Sequence, residues 1–465
     1  MRQAHVNVSV FRKAEGSTEH RYVTYQVPYQ ESMTVLDCLI WIYENVDGTL
    51  ALRYSCGESR EAACGLCTVR VNRAPVLACK TIVTHPDILV EPIRTHEVIT
   101  DLLVPKYPEK DFEALENEIV EPDLCTACGA CVAVCPTFAL RMVHEKPTLV
   151  GVCNLCEACY YSCPAVEMDL LGEGRAEAPE GTAQPNRIVA TLNSYQCAFQ
   201  ARASDPRILS VAQDGGVATA LVVYALQQRL VDCAIVMRTD PDEPLRATPV
   251  IVEHPHDALT GAGSRYTPGS TASALLHLAE RYSGRRVMVV ALPCEVQGLR
   301  KVNGARRGNT VEYIVGLFCS SIFSYDGLIN GHLRQGKGLD LLGTERIIIK
   351  GNRYWVTSAK GDILLAPQSL KELRPYRRPA CNACIDYAAD LADLSIGVIG
   401  ANRPGWGVVL IRSARALDLF RGASDAGLLT SEPLDQEGPD FAELLRIATR
   451  KRHRHPGGQA FLDLL

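Results

Sequence analysis

The stretch 125-CTACGACVAVCP-136 returns at 153-CNLCEACYYSCP-164 with the same spacing, C-x2-C-x2-C-x3-C-P. Three thiolates this close wrap one corner of a 4Fe–4S cubane, and in the doubled bacterial pattern the fourth completes the other cluster. The proline after each fourth cysteine keeps the run from continuing as helix and turns that thiolate outward. The spacing therefore assigns Cys125, Cys128, Cys131 and Cys163 to one cubane, and Cys153, Cys156, Cys159 and Cys135 to a second. Two structural zinc sites are the alternative use of eight such thiols.

These runs belong to a chain of 465 residues with 19 cysteines, 22% charged and 47% hydrophobic residues, and a formal net charge of −5. At roughly 100–200 residues per domain, the length suggests two to four domains. The hydrophobic fraction excludes wholesale disorder. The mildly acidic balance argues against a nucleic-acid binder that works by bulk charge. No apolar run approaches the ~20 residues of a membrane span. The opening MRQAHVNVSVFRKAEG has no apolar core of a secretory signal. Twelve cysteines fall between Cys56 and Cys163. Disulfide scaffolds are typically small and secreted, so clustered thiols here point to metal or redox chemistry in a reducing, cytoplasmic compartment.

Upstream, residues 5–12 and 20–27 read as strands, and Thr34 caps a helix over VLDCLIWIYENV. A cysteine-bearing loop follows, then a hairpin around Asn72-Arg73. Two strands, a helix, a metal loop and a hairpin suggest a β-grasp domain over residues 1–100. Its thiols are Cys56, Cys64, Cys67 and Cys79. The plant-type 2Fe–2S loop is C-x4-C-x2-C…C. The last three cysteines fit, whereas CGESREAAC is three residues too long. Either the loop bulges or another ligand replaces Cys56; zinc or empty thiols are the alternatives to a 2Fe–2S cluster.

Residues 1 to about 140 resemble the iron–sulfur subunit of succinate dehydrogenase and fumarate reductase. The resemblance rests on SCGESREAACGLCTV (55–69) with VLAC (76–79), EPIRTHEVITDLLV (91–104) and CTACGACVAVCP (125–136). It implies a β-grasp domain followed by a helical ferredoxin domain, here over 101–171. The second cubane motif is closer than in that family and fully cysteinyl, so no quinone site is carried over. Gly172–Pro185, without periodicity and rich in Gly, Pro, Ala and Glu, reads as part of an interdomain linker over 172–186.

Beyond it, over 187–465, strand and helix alternate, which argues for an α/β domain with a mainly parallel sheet. The strands read are VDCAIVMR, RRVMVVALPC, EYIVGLFC, RIIIKGN and ADLSIGVIG. Cys294 and Cys319 each end an apolar strand, where ligands collect in open α/β sheets. Cys381-x2-Cys384 is a chelating spacing. These four make a candidate third cubane; buried inert thiols with a chance CxxC are the alternative. Cys38 and Cys233 read as small core residues, and Cys197 is undecided. Asp214-Gly215-Gly216 opens a helix over VATALVVYALQQRL, where Asp214 can cap and the glycines let a phosphate approach free N–H groups. An ordinary cap explains the same residues.

Five segments in order resemble the beta subunit of coenzyme F420 hydrogenase and dehydrogenase. They are SVAQDGGVATALVVYAL (210–226), GAGSRYTPGSTASAL (261–275), VVALPCEVQGLRKV (289–302), VGLFCSSIFSYDGL (315–328) and CNACIDYAADLADLSIGVIGA (381–401). The resemblance implies FAD, a 4Fe–4S cluster and a deazaflavin substrate site in an α/β flavin-binding domain. Gly215, Gly216 and Thr219 would meet flavin phosphates. Ser264, Arg265 and Tyr266 would line the cofactor or its acidic tail, although Arg265 stands where the family usually has lysine. Arg300 and Lys301 would neutralise the substrate's phosphate and glutamate charges; solvated surface charge is the plainer reading. The basic run 450–454 (RKRHR) reads as a solvated tail, or a dock for an acidic partner.

The expected whole is an α+β multidomain subunit with one 2Fe–2S cluster, three 4Fe–4S cubanes and FAD. It would exchange hydride with F420 and pass single electrons to or from a partner oxidoreductase, through which any membrane attachment would run. The alternatives are an electron relay that has lost its hydride site, or a reductase of another flat substrate. Relatives include a chlorophyll-derivative reductase, so a tetrapyrrole or a quinone stays open.

Overall fold

The computed structural model describes residues 5–54, 67–72, 74–92, 98–104, 110–153, 157–166, 188, 191–282, 284–302 and 309–454. Val6, Val8 and Val10 alternate inward along β1 (His5–Arg12), which pairs antiparallel with β2 (Arg21–Pro28). Helix α1 (Val35–Asn45) begins at a reciprocal cap. The Thr34 hydroxyl accepts from the Asp37 N–H, and the Asp37 carboxylate accepts from the Thr34 N–H. Such caps contribute about 1 kcal/mol. Strands β3 (Thr68–Val71) and β4 (Ala74–Leu77) turn at Asn72, whose φ is 48°. The sequence reading missed β5 (Asp87–Glu91). It pairs parallel with β1 and antiparallel with β3, completing the order β2-β1-β5-β3-β4. Leu36, Leu39 and Ile42 of α1 share one core with the β1 valines, and Cys38 is a core residue there.

Residues 110–166 contain the short helices α2 (Ala130–Val134) and α3 (Ala158–Tyr161). Between them stands a hairpin of β6 (Leu140–Val143) and β7 (Lys146–Leu149) that the sequence reading did not anticipate. Its turn residues His144 and Glu145 both have positive φ, 46° and 65°, a turn geometry that usually announces itself as Asn-Gly or Asp-Gly. The expected linker at 172–186 lies outside the described residues.

The C-terminal part is built on β8 (Cys197–Ala203), β9 (Cys233–Thr239), β10 (Ala247–Val252), β11 (Arg286–Ala291) and β12 (Thr310–Leu317). It continues with β13 (Thr344–Lys350), β14 (Arg353–Ser358), β15 (Ile363–Ser369), β16 (Leu394–Gly397), β17 (Gly407–Ile411) and β18 (Leu429–Pro433). The main sheet has the order β10-β9-β11-β12-β16-β17-β8-β18. The expectation of a mainly parallel sheet is corrected. Only β9-β11-β12-β16 is parallel, and the outer pairs are antiparallel. The connections 240–246 and 398–406 are too short for the crossover that a parallel neighbour needs. RIIIKGN also leaves this sheet: as β13 it forms a separate antiparallel sheet with β14 and β15.

Successive residues of the parallel strands feed opposite faces. Ala234, Val236 and Met288 meet α4 (Val217–Gln227) on one face. Ile235, Val287 and Val289 face α5 (Ala274–Arg281) and α6 (Pro293–Val302) on the other. Helix α7 (Ala414–Asp425) joins the first layer through Leu419 and Phe420, and α8 (Pro439–Arg452) is the last helix among the described residues. Cys128, Ala130 and Ala133 belong to the second layer's core, so the cysteine-rich part is packed into the α/β part. The Ala272 N–H donates to the Cys128 carbonyl at 3.1 Å, and the Ser270 hydroxyl to the Ala127 carbonyl at 2.7 Å. Gly129, at φ 81°, lies so close that a Cβ there would come within 2.7 Å of the Ser273 nitrogen.

Candidate functional site

The cysteine runs come together crosswise. Burial raises the Cys128 thiol to about 12, helped by Cys163 and Cys125, and burial raises Cys163 to about 11, helped by Cys125. Burial raises Cys131 well above the usual thiol value, and Cys128, Cys125, Cys163 and Cys159 add to it. These four thiols are thus mutual neighbours in an apolar setting. A dense set of buried thiols that oppose one another's ionisation is eased when metal takes the thiolate form. Cys135, Cys153 and Cys159 line a small open pocket with Phe112, Thr137 and Leu140; Cys156 lies outside the described residues. In the N-terminal part Cys67 and Cys79 are buried, and the Cys79 N–H donates to the Cys67 sulfur at 3.4 Å. Cys56 and Cys64 lie outside the described residues.

A third group forms in the α/β part. Strands β11 and β12 are parallel neighbours. Cys294 enters α6 just after β11, and Cys319 follows β12 by two residues. Cys381 and Cys384 come from the short helix Ala380–Ala383 and its end. Burial raises Cys294 well above the usual thiol value, and Glu295, Cys384, Cys319 and Cys381 add to it. Helix α8 supplies a cation. Lys451, 2% exposed, donates to the Cys319 carbonyl at 2.6 Å. The reading of 450–454 as a solvated tail is therefore corrected at Lys451, and Arg452 likewise turns inward to the buried Asp390.

One helix joins the thiol groups. Cys294 stands at the start of α6, Gly298 a turn later faces the Cys128 sulfur, and Lys301 donates to the Cys163 carbonyl at 2.9 Å. Arg378 makes a second link. It donates to the Cys125 carbonyl at 3.0 Å and to Glu145 at 2.8 Å, while its own carbonyl accepts the Cys381 N–H at 3.0 Å. Arg300 donates to the Leu391 carbonyl at 2.7 Å and pairs with Asp393 at 3.2 Å. Arg300 and Lys301, expected at a substrate's anionic groups, both bind protein groups at the junction of α6 with its neighbours.

The glycine turn differs in detail from its reading. Gly216, at φ 69°, is the N-cap of α4, no side chain caps the helix, and Asp214 stays outside it. A Cβ on Gly215 would come within 3.1 Å of both the Ala201 oxygen and the Gly407 nitrogen, so this glycine serves a close backbone approach. Thr219 is buried in the first turn. Burial raises the Asp214 carboxyl, against the pull of Lys350. Gln213 donates to the Tyr266 hydroxyl at 2.9 Å, and Ser264 also hydrogen-bonds that phenol. Arg265 bends back onto the carbonyls of Thr260, Gly261, Ala262 and Gly263, at 2.8–3.2 Å. Burial lowers its guanidinium to about 10. The loop then runs to Thr271, whose N–H donates to Glu295 beside Cys294 at 3.0 Å.

Among the described residues no three His, Cys, Asp or Glu side chains close on a point as the ligands of a single metal ion do. None of the described helices is long and apolar enough to cross a membrane.

Thiol groups gathered at both ends of α6 fit an iron–sulfur electron-transfer protein, and comparison with known proteins agrees. Residues 5–112 match the 2Fe-2S iron-sulfur cluster binding domain, and residues 118–141 the 4Fe-4S binding domain. Residues 198–276 and 284–437 match the N-terminal and C-terminal parts of the coenzyme F420 hydrogenase/dehydrogenase beta subunit. The beta subunit of the coenzyme F420 hydrogenase of Methanosarcina barkeri is 31% identical over 268 residues, 56% of this chain and 89% of that protein. One of the subunits of the F420H2 dehydrogenase of Methanosarcina mazei is 26% identical over 326 residues, 68% of this chain and 87% of that one. A chain of the F420-reducing NiFe hydrogenase complex of Methanosarcina barkeri superposes with a TM-score of 0.53 at 29% identity, covering 61% of this chain and 95% of that one. The chain belongs to the family of coenzyme F420 hydrogenase/dehydrogenase beta subunits. It adds to that family's core an N-terminal part with 2Fe–2S and 4Fe–4S domains.

Proposed function

We propose that this chain oxidises or reduces coenzyme F420 at a bound FAD and connects that two-electron step to single-electron carriers. The observation that carries the reading is the gathering of Cys294, Cys319, Cys381 and Cys384 at the ends of adjacent parallel strands, one helical turn from the Cys128 thiol. The donor sets are all thiol, the preference of iron–sulfur clusters. When bound, FAD supplies the exchange between a hydride and single electrons, and the clusters carry those electrons. Cys125, Cys128, Cys131 and Cys163 would hold the cubane nearer the α/β part, with Cys135, Cys153, Cys156 and Cys159 holding the next. Cys56, Cys64, Cys67 and Cys79 would hold the 2Fe–2S cluster, and a partner oxidoreductase would take or give electrons.

The remaining residues position and exclude water. Gly215, Gly216 and Thr219 would present the first turn of α4 to flavin phosphates. Tyr266, fixed by Gln213 and Ser264, would line the flavin, and Arg265 would shape its loop instead of meeting substrate. The test is anaerobic oxidation of reduced F420 with a dye acceptor by the chain loaded with FAD and iron. Stoichiometric flavin and dye reduction support the reading; a flavin-free chain without that activity refutes it.

The second reading is an electron relay without a hydride site. It draws on one observation: Arg265, Arg300 and Lys301, the cations nominated for the polyanionic substrate, all bind protein groups. Binding of reduced F420, measured by fluorescence quenching, separates the two.

A further inference from the structure

We propose that Lys451 is a positioning residue for the third thiol group: its buried ammonium fixes the Cys319 main chain and raises the reduction potential of a 4Fe–4S cubane held by Cys294, Cys319, Cys381 and Cys384. The inference rests on reading that group as a cubane site. A lysine that merely complements the end of a helix does so while solvated. Lys451 is 2% exposed in the last turn of α8, and its Nζ is 2.6 Å from the Cys319 carbonyl. Burying an ammonium is costly unless something within reach repays it. The neighbouring carboxylate Asp390 is already shared by Arg412, at 3.7 Å, and Arg452. Asp386 receives the Gln297 amide at 3.3 Å and two contacts from the Asp390 N–H. Lys451 donates to the Cys319 carbonyl, and Cys384 and Asp386 also lie near its ammonium.

A cubane with four thiolates is anionic, and one-electron reduction makes it more so. Net charge, hydrogen bonds and exposure set its potential. A cation held out of water beside two of the four sulfurs therefore favours the reduced form. Arg454, donating to the Ser320 carbonyl at 2.9 Å, adds positive charge on the same side. The effect makes this cubane a better single-electron acceptor than it would be without the cation.

The test is a dithionite redox titration of the full chain followed by electron paramagnetic resonance. The third cubane's signal is identified as the one lost in Cys381→Ala. If no signal is lost there, the cubane reading itself fails. With the signal assigned, Lys451→Gln is expected to lower the reduced-to-oxidised ratio of that cubane at a fixed potential at least tenfold, which is ~59 mV for one electron. Lys451→Arg is expected to restore most of it, with the other cubanes unmoved. Equal potentials in Lys451→Gln, Lys451→Arg and the parent chain would overturn the proposal. Should Lys451→Gln lose the cubane, Lys451→Met and Lys451→Arg make the same comparison; loss in every variant, the charge-keeping one included, would assign Lys451 a structural role only and equally overturn it.

Discussion

A Cβ atom on Gly298 would lie 3.0 Å from the sulfur of Cys128. Cys294 sits four residues earlier on the same helix, and residues four apart share a helix face. The third thiol group and the Cys125–Cys163 group therefore meet across a single turn of α6. Gly298→Val would push Cys128 and Ala130 apart from α6. Overpacking of this kind costs typically 1–3 kcal/mol. Urea unfolding is expected to show that loss, and dye reduction by reduced F420 is expected to fall more than flavin reduction does. Equal loss of both rates would contradict electron passage at this point.

Cys381→Ala should remove about four iron atoms per chain and leave the flavin content unchanged. Cys197 is the control. It begins β8 and packs half-buried against the main core, away from the third group. Cys197→Ala should leave iron unchanged. Iron and sulfide analysis after anaerobic isolation reads both.

Arg378 and Glu145 form a pair in which both side chains are about nine-tenths buried, with an N–O distance of 2.8 Å. Burial raises the Glu145 carboxyl, and Arg378 opposes that. Arg378→Met leaves the carboxylate without its partner and should destabilise the chain by about 3–5 kcal/mol. Arg378→Met combined with Glu145→Gln should recover part of the loss. Guanidinium unfolding of the three variants measures it; additive losses would show that the pair is not coupled.

Asp393 gives a pH dependence of definite sign. Burial raises its pKa, but Arg300, Arg415 and the Ile314 N–H outweigh burial and leave it below the usual carboxylate value. A carboxyl depressed in the folded state contributes stability that is present above its unfolded value and is lost as pH falls through the folded one. Stability should therefore drop on acidification below the ordinary carboxylate range. Asp393→Asn should flatten that part of the profile and cost roughly 1.5–3 kcal/mol at neutral pH. Unfolding midpoints across the acid range check both.

The parts legible in the sequence are those whose geometry is local. Thr34 marks a helix start, and Cys294 and Cys319 stand where apolar strands end. The doubled C-x2-C spacing likewise carries its own loop geometry. What stayed hidden depends on distant partners or on unusual turn residues. His144-Glu145 takes the positive-φ turn of the β6–β7 hairpin without glycine or asparagine. Ile347–Ile349 reads as a core strand, yet it pairs only with β14 in a small separate sheet. Arg300, Lys301 and Lys451 carry charges that composition assigns to solvent or substrate, and only tertiary contacts reveal their protein partners. Arg265 likewise donates to four carbonyls of its own loop, contacts that its place in the sequence does not announce.

The most direct test of the account is iron, acid-labile sulfide and flavin analysis of the anaerobically isolated full chain. One 2Fe–2S cluster and three cubanes predict about fourteen iron and as many sulfide per chain, with one FAD. A colourless chain that holds zinc in the thiol groups, or no metal at all, would contradict it.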